Sequence, residues 1–325
     1  MEYGILVVAA TEGVMPQTRE HLILARQTNI KQLVVYVNKC DLVDEEMKSL
    51  VELEVQELLS QYEYDPDKVP IIFGSALASL TDKNPELGNE SIQKLLDTID
   101  NFEDPERIQD APPVLAIENR YSIKGKGTVV TGKLVQGILK KGLDVTIQGN
   151  NQELKTQIVS IETFLKTVTE AHPGDILGVC IKGVKKDHVK RGMILSVPKY
   201  MHFGNHFKAK LYILSKQEAS IEKPLLHETL LVVYYQTGHI TSFVYLPGGE
   251  NTFILQGDSG ECDILMQKKT PMLIGSRFTL RTGSHTIGYG IVSEFKPDLD
   301  WFDVEKERKK RRKAEAKALA EEAQG

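Results

Sequence analysis

Asn38, Lys39 and Asp41 lie in the run "VVYVNKCDLVD", where a β-branched apolar stretch gives way to polar residues and then to a helix start. A carboxylate at Asp41 can accept two hydrogen bonds from the N1–H and exocyclic amine of a guanine ring. Adenine lacks that donor pair, so the wrong base would leave polar groups unmatched, a costly form of discrimination. Asn38 can bridge the base to a neighbouring loop, and the aliphatic stem of Lys39 can lie across the ring. The alternative is an ordinary strand-to-helix turn, where Asn and Asp serve as turn and cap residues. A second loop favours ring binding. "GSAL", Gly74 to Leu77, follows the next apolar run, and the backbone N–H groups of Ser75, Ala76 and Leu77 can meet a base oxygen there. Ligands of open α/β sheets bind at such carboxyl edges.

Both loops need a parallel sheet behind them. "ILVVAA" and "LVVYV" are continuous apolar runs, the pattern of parallel strands buried on both faces. "QTREHLILARQT", "LVELEVQELLSQY" and "SIQKLLDTIDNF" space their apolar residues as helices, and "VPIIFGSAL" reads as a third strand. The order βαβαβα over residues 1–102 predicts an α/β unit with fewer strands than such sheets normally use. We expect half of a doubly wound α/β domain, whose uncovered strand surface is an aggregation liability. Residues 103–113, "EDPERIQDAPP", read as a linker. From Val114 the period falls to two. Short strands between glycine-bearing turns predict a first β-barrel over 114–200 and a second over 201–296. Residues 297–325 form a charged extension rich in Ala, Lys, Glu and Arg, helical if docked.

Composition sets outer limits. The chain has 325 residues, 41% hydrophobic and 26% charged, which is ordinary globular usage with room for two or three domains. A net charge of −5 gives no global nucleic-acid footprint, so a basic RNA-binding surface must be local. Cys40, Cys180 and Cys262 are far apart, without metal-ligand spacing, and point to plain packing in a reduced compartment. No apolar run reaches the length of a membrane span, and "MEYGILVVAA" carries no targeting signal.

Together "GILVVAATEGVMPQTREHLILARQ", "NKCD", "ELLSQY", "GSAL", "GKGTVVTGKLVQGILKKG", "YILSKQE" and "RFTLRTGSHTIGYG" resemble elongation factor Tu, notably its animal mitochondrial type. The likeness runs in unbroken order from residue 1 to about 296. It implies a GTPase domain followed by two barrels, GTP or GDP as cofactor, and delivery of aminoacyl-tRNA to the ribosome. It further implies a monomer, no membrane, and a mitochondrial matrix location. The family's phosphate loop, its magnesium-binding threonine and its catalytic histidine would all precede residue 1, and no GxxxxGK[ST] run occurs in this chain. We therefore expect an N-terminally incomplete chain with no catalytic residue, no Mg2+ ligands and no GTP turnover of its own. Ribosome-stimulated hydrolysis by the purified 325 residues would contradict this.

The resemblance also assigns sites residue by residue. Gln17 and His21, on the first helix, would meet the exchange partner, elongation factor Ts; the alternative is helix entry at Gln17 and a histidine that fills surface or core. In "IENRYSIKGKGTVVTGK", Glu118, Asn119, Tyr121 and Thr131, with Glu162 of "SIETF", would receive the aminoacylated 3′ end. Tyr121 can stack on a base. Asn119 replaces a frequent aspartate, and Ile176 replaces an asparagine. The alternative for Tyr121, Thr131 and Glu162 is barrel packing and strand-face polarity. In the second barrel Gln236, Thr241, Thr282, Gly283 and His285 would meet the tRNA T-stem. There Ile221, Gln236 and His285 stand where the family has arginines. Losing cations should weaken phosphate contacts. The basic run Lys306 to Lys313 either replaces them or is a solvated helix. A rival reading is a nucleotide-independent RNA-binding protein built from the barrels and tail.

Overall fold

In the computed structural model residues 3–27, 30–216, 223–283 and 285–322 are described. The chain divides into two compact units, Met1–Glu106 and Arg107–Gly325.

The first unit holds three parallel strands, β1 (Tyr3–Ala9), β2 (Gln32–Asn38) and β3 (Ile71–Phe73), in spatial order β1-β2-β3. On one face Leu6, Val8, Val35 and Val37 pack against Leu22 of helix α1 (Pro16–Gln27) and Val51, Val55, Leu58 and Leu59 of α2 (Glu45–Gln61). On the other, Val34, Tyr36 and Ile72 pack against Ile92, Leu95 and Ile99 of α4 (Ser91–Asp100), which comes after the short α3 (Ala76–Leu80) in the chain. β2 is thus covered on both sides, which is why its sequence is an unbroken apolar run. β1 is not: Ile5 and Val7, in register with Val34 and Tyr36, are 51% and 60% exposed. α2 starts where Asp44 caps it, its Oδ1 accepting from the Met47 N–H at 2.9 Å, and Glu45 and Glu46 favour the same helix end.

The second unit begins inside the expected linker. Arg107 donates to the Pro173 carbonyl, Ile108 accepts from the Gly137 N–H, and Gln136 donates to the Pro112 carbonyl. Residues 107–112 are therefore packed on the first barrel, because its strand ends supply partners for their backbone. That barrel includes β4 (Val114–Ile123) and β5 (Gly127–Gln136). Pairing runs from Ile176–Ile181 through β5, β4, Ile194–Ser196 and Asp144–Gly149 to Gln152–Thr163, which pairs back with Ile176–Ile181. Leu115, Ile117, Val130, Leu134, Ile147 and Ile161 fill it. The second barrel is closed by six strands, beginning with His202–Ile213 and ending with His285–Phe295.

The barrels meet at a seam where Gly192 faces Gly238. A Cβ on Gly192 would lie 2.7 Å from the Gly238 Cα, so neither position has room for a side chain. Thr237 donates to the Ile117 carbonyl at 2.7 Å across it, and Lys269 N–H donates to Asn151 Oδ1 at 2.7 Å.

The charged extension is a docked helix, α5 (Trp301–Glu322). Trp301 is only 6% exposed and stacks on Phe243, with ring centroids 4.5 Å apart. Among the described residues no helix is long and apolar enough to cross a membrane.

Candidate functional site

The guanine loop is built from both sheet turns. Lys39 has φ 64°, a left-handed conformation that turns the chain from β2 into the short 3-10 segment Cys40–Leu42. A non-glycine residue held there costs roughly 1 kcal/mol, so something must compensate. Asn38 supplies it: its Oδ1 accepts from the Lys39 N–H at 2.8 Å and from the Ala76 N–H at 3.0 Å, tying the two loops together. Cys40 N–H donates to the Gly74 carbonyl at 3.1 Å, a second tie. Cys40 itself is buried, and burial pushes its thiol above the ordinary range. Gly74 has no space for a side chain because the Tyr36 and Ser91 hydroxyls, 2.9 Å apart, occupy it.

Asp41 is exposed, and among the described residues its carboxylate has no hydrogen-bond partner. It is available to a donor pair such as guanine's. Lys39 extends past it to within 3.6 Å of Glu12. The second loop departs from expectation. The Ser75 N–H donates to the Leu87 carbonyl at 2.7 Å, the Ala76 N–H is taken by Asn38, and Ser75 Oγ caps α3 by accepting from Ala78 N–H. A helix starts at Ala76, and the first two amides are committed, Ser75 to the Leu87 carbonyl and Ala76 to Asn38. Leu77, the second residue of that helix, keeps an N–H outside the helical ladder.

On α1, Gln17 and His21 are both exposed and, four residues apart, share one helix face.

Three of the five residues assigned to the 3′ end share one row on the first barrel. Asn119 pairs with Thr131, Thr131 with Gly178, and Gly178 with Glu162, a row across four strands. Gly178 has no side chain, and a Cβ there would come within 3.7 Å of Val129 and 4.0 Å of Thr131. Glu118 is the extra residue of a bulge between Ile117 and Asn119 and is exposed, while Tyr121 is 50% exposed one strand step along. Glu162 is not free. Lys126, in the turn joining β4 to β5, holds it at 2.6 Å, so a ligand would have to displace that ammonium. Ile176 is exposed where the resemblance led us to look for a hydrogen-bonding group.

The T-stem set divides. Thr241, Val232 and Arg281 form one outward row, and Thr282 pairs with His285 across a turn through Gly283, φ 55°. Gln236 lies four residues beyond Val232, roughly 13 Å along the strand, in the hairpin turn that docks on the first barrel. Its neighbour Thr237 makes the contact across the seam. Ile221 lies outside the described residues.

Two cationic features escaped the sequence reading. Arg281 lies over the Tyr234 ring at 5.1 Å, beside the Thr241 row. At the seam a cleft of about 160 Å³ is lined by Lys190, Arg191, Lys268 and His239, and no carboxylate lines it among the described residues. The run "KKDHVKRG" offered a signal, but Lys268 joins it only through the meeting of the barrels. Among the described residues no group of three His, Cys, Asp or Glu side chains is placed to hold a metal.

Comparison with family models accounts for most of the chain. Residues 1–105 match the elongation factor Tu GTP binding domain, 127–196 match elongation factor Tu domain 2, and 201–296 match the elongation factor Tu C-terminal domain. The first match carries guanine-nucleotide binding with it, in agreement with a free Asp41 beside a tied Asn38. Three consecutive matches in the family's own order place the chain in the elongation factor Tu family of translation GTPases.

Proposed function

We propose that this chain carries aminoacyl-tRNA to the ribosome, holding the aminoacylated 3′ end on the first barrel and the tRNA backbone along the seam and second barrel. The reading rests above all on the row Asn119–Thr131–Gly178–Glu162, which sets hydrogen-bonding residues on either side of a glycine, with Tyr121 two residues along from Asn119. A terminal base stacked on Tyr121 would gain about 1–3 kcal/mol. Asn38, Asp41 and the Leu77 N–H would hold the guanine base of GTP or GDP, and Lys39 would cover it. Elongation factor Ts would meet the Gln17–His21 face, and the chain would work as a monomer in the mitochondrial matrix. The Mg2+ of the bound nucleotide would be held by residues other than those described.

The decisive measurement is deacylation of aminoacyl-tRNA with and without the chain. We expect the ester to be protected, and Tyr121→Ala to weaken that protection about tenfold or more. GTP should modulate it, and Asp41→Asn should abolish the GTP effect by removing the acceptor for guanine's two donors. Equal affinity for charged and uncharged tRNA, with no protection of the ester, would refute delivery. The cation-lined seam cleft supports a second reading, nucleotide-independent RNA binding. Binding unaffected by either GTP or Asp41→Asn would favour it.

A further inference from the structure

The parallel sheet ends at β3, and its free edge lies in a groove. Val35 N–H donates to the Pro70 carbonyl and Gly74 N–H to the Val37 carbonyl, so residues 70, 72 and 74 face β2. The N–H and C=O groups of Ile71 and Phe73 therefore point away, and among the described residues no strand pairs with them. An unpaired edge is a template for another chain. Here it borders a groove of about 420 Å³ between α2 and the segment that leads into α4. Ile71, Phe73 and Leu87 give it a half-buried apolar floor.

The walls are acidic. Glu52 projects from α2, and Glu86 and Glu90 from the opposite wall. None of these three carboxylates has a hydrogen bond or ion pair among the described residues. Lys48 is neutralised by Glu45 at 2.6 Å, leaving Lys94 as the other cation at the groove. Three unpaired carboxylates against one unpaired ammonium leave the groove net negative. Charges placed only to block an edge would sit across it. These stand on both walls and leave the strand's own polar groups uncovered.

We propose that this groove takes an extended Lys- or Arg-bearing segment of a partner protein, added as a further strand along Ile71–Phe73. The main chain would pair with the open edge, and alternate side chains would reach the carboxylates of the two walls. The proposal is independent of the nucleotide and RNA sites.

The test uses the full chain and a peptide with fluorescein on its N-terminus, fluoresceinyl-Lys-Arg-Lys-Arg-Lys-amide, whose cations face both walls when it is extended, followed by anisotropy. We expect saturable binding that weakens with salt. The all-glutamate counterpart should not bind, and the exposed pair Glu86→Lys with Glu90→Lys should raise Kd at least tenfold. Two versions of the peptide N-methylated on alternate residues separate strand addition from simple charge attraction. One phase should lose binding and the other keep it, because only alternate amides face the edge. Equal binding of both phases, equal binding of the acidic peptide, or an unchanged Kd for the Glu86 and Glu90 variant would each overturn the proposal.

Discussion

Replacing Glu228 by glutamine will lower the stability of the second unit by about 2–3 kcal/mol and release the C-terminal helix. Glu228 is 8% exposed and is the acid on which α5 converges. Arg311 reaches its Oε2 at 2.5 Å, and Arg308 donates to its carbonyl at 3.3 Å. Arg308 Nε lies 3.4 Å from the same carboxylate, close enough for an ion pair although it makes no aligned hydrogen bond. Arg308 also covers the Phe243 ring at 4.6 Å, the ring on which Trp301 stacks. Removing the carboxylate leaves Arg308 largely buried without its anion. Breaking such a pair from one side costs about 3–5 kcal/mol, reduced here because Arg311 is half exposed. For a unit of this size the melting temperature should fall by roughly 5–10 °C. The chain has one tryptophan, so emission from Trp301 reports helix docking directly. A red shift at lower temperature than global unfolding is expected. Replacing both Glu228 and Arg308 by methionine should recover much of the loss, since no buried guanidinium is then left without its anion and Arg311 keeps Glu250 at 3.0 Å. Unchanged melting and unchanged emission in Glu228→Gln would show that the helix does not depend on this acid.

That contact marks where the sequence stopped being legible. The guanine loop could be read because its chemistry is local: Asn38, Lys39 and Asp41 are neighbours, and β2 behind them is a plain apolar run. The strand Ser259–Met272 was harder, because "QKK" interrupts its alternation where the residues face solvent. Helix α3 was hidden for a different reason. "GSAL" looks like a loop until Ser75 is seen to cap a helix that starts at Ala76. The C-terminal run reads as a solvated basic helix because charge in a sequence does not reveal its partner. Glu228 and Arg308 are separated by most of the second barrel's strands, and only the closed fold makes them a pair. The helix has two faces. Trp301, Val304, Arg308 and Arg311 are spent on the barrel, while Lys306, Lys309, Lys310 and Lys313 are exposed at helical spacing. Cations expected to serve RNA are thus partly used in folding.

The same logic gives the seam cleft a large expected effect. Arg191→Ala combined with Lys268→Ala should weaken aminoacyl-tRNA binding about 10- to 100-fold near 0.1 M salt, because the cleft offers cations and, among the described residues, no competing carboxylate. Both residues also serve the seam: Arg191 Nε donates to the Thr237 carbonyl at 3.2 Å, and Lys268 Nζ donates to Asn150 Oδ1 at 2.6 Å. A loss of affinity alone would therefore not distinguish lost charge from a loosened seam. The salt dependence does. Each phosphate contact removed should reduce the slope of log K against log salt by about 1, so the double variant should lose about 2. Asn150→Ala removes a seam partner while keeping both cations, and should leave the slope unchanged. If the double variant binds more weakly with its slope intact, the cleft acts by positioning the barrels and phosphate must be met elsewhere. If the slope falls in step, the seam between Gly192 and Gly238 is where the RNA backbone is held.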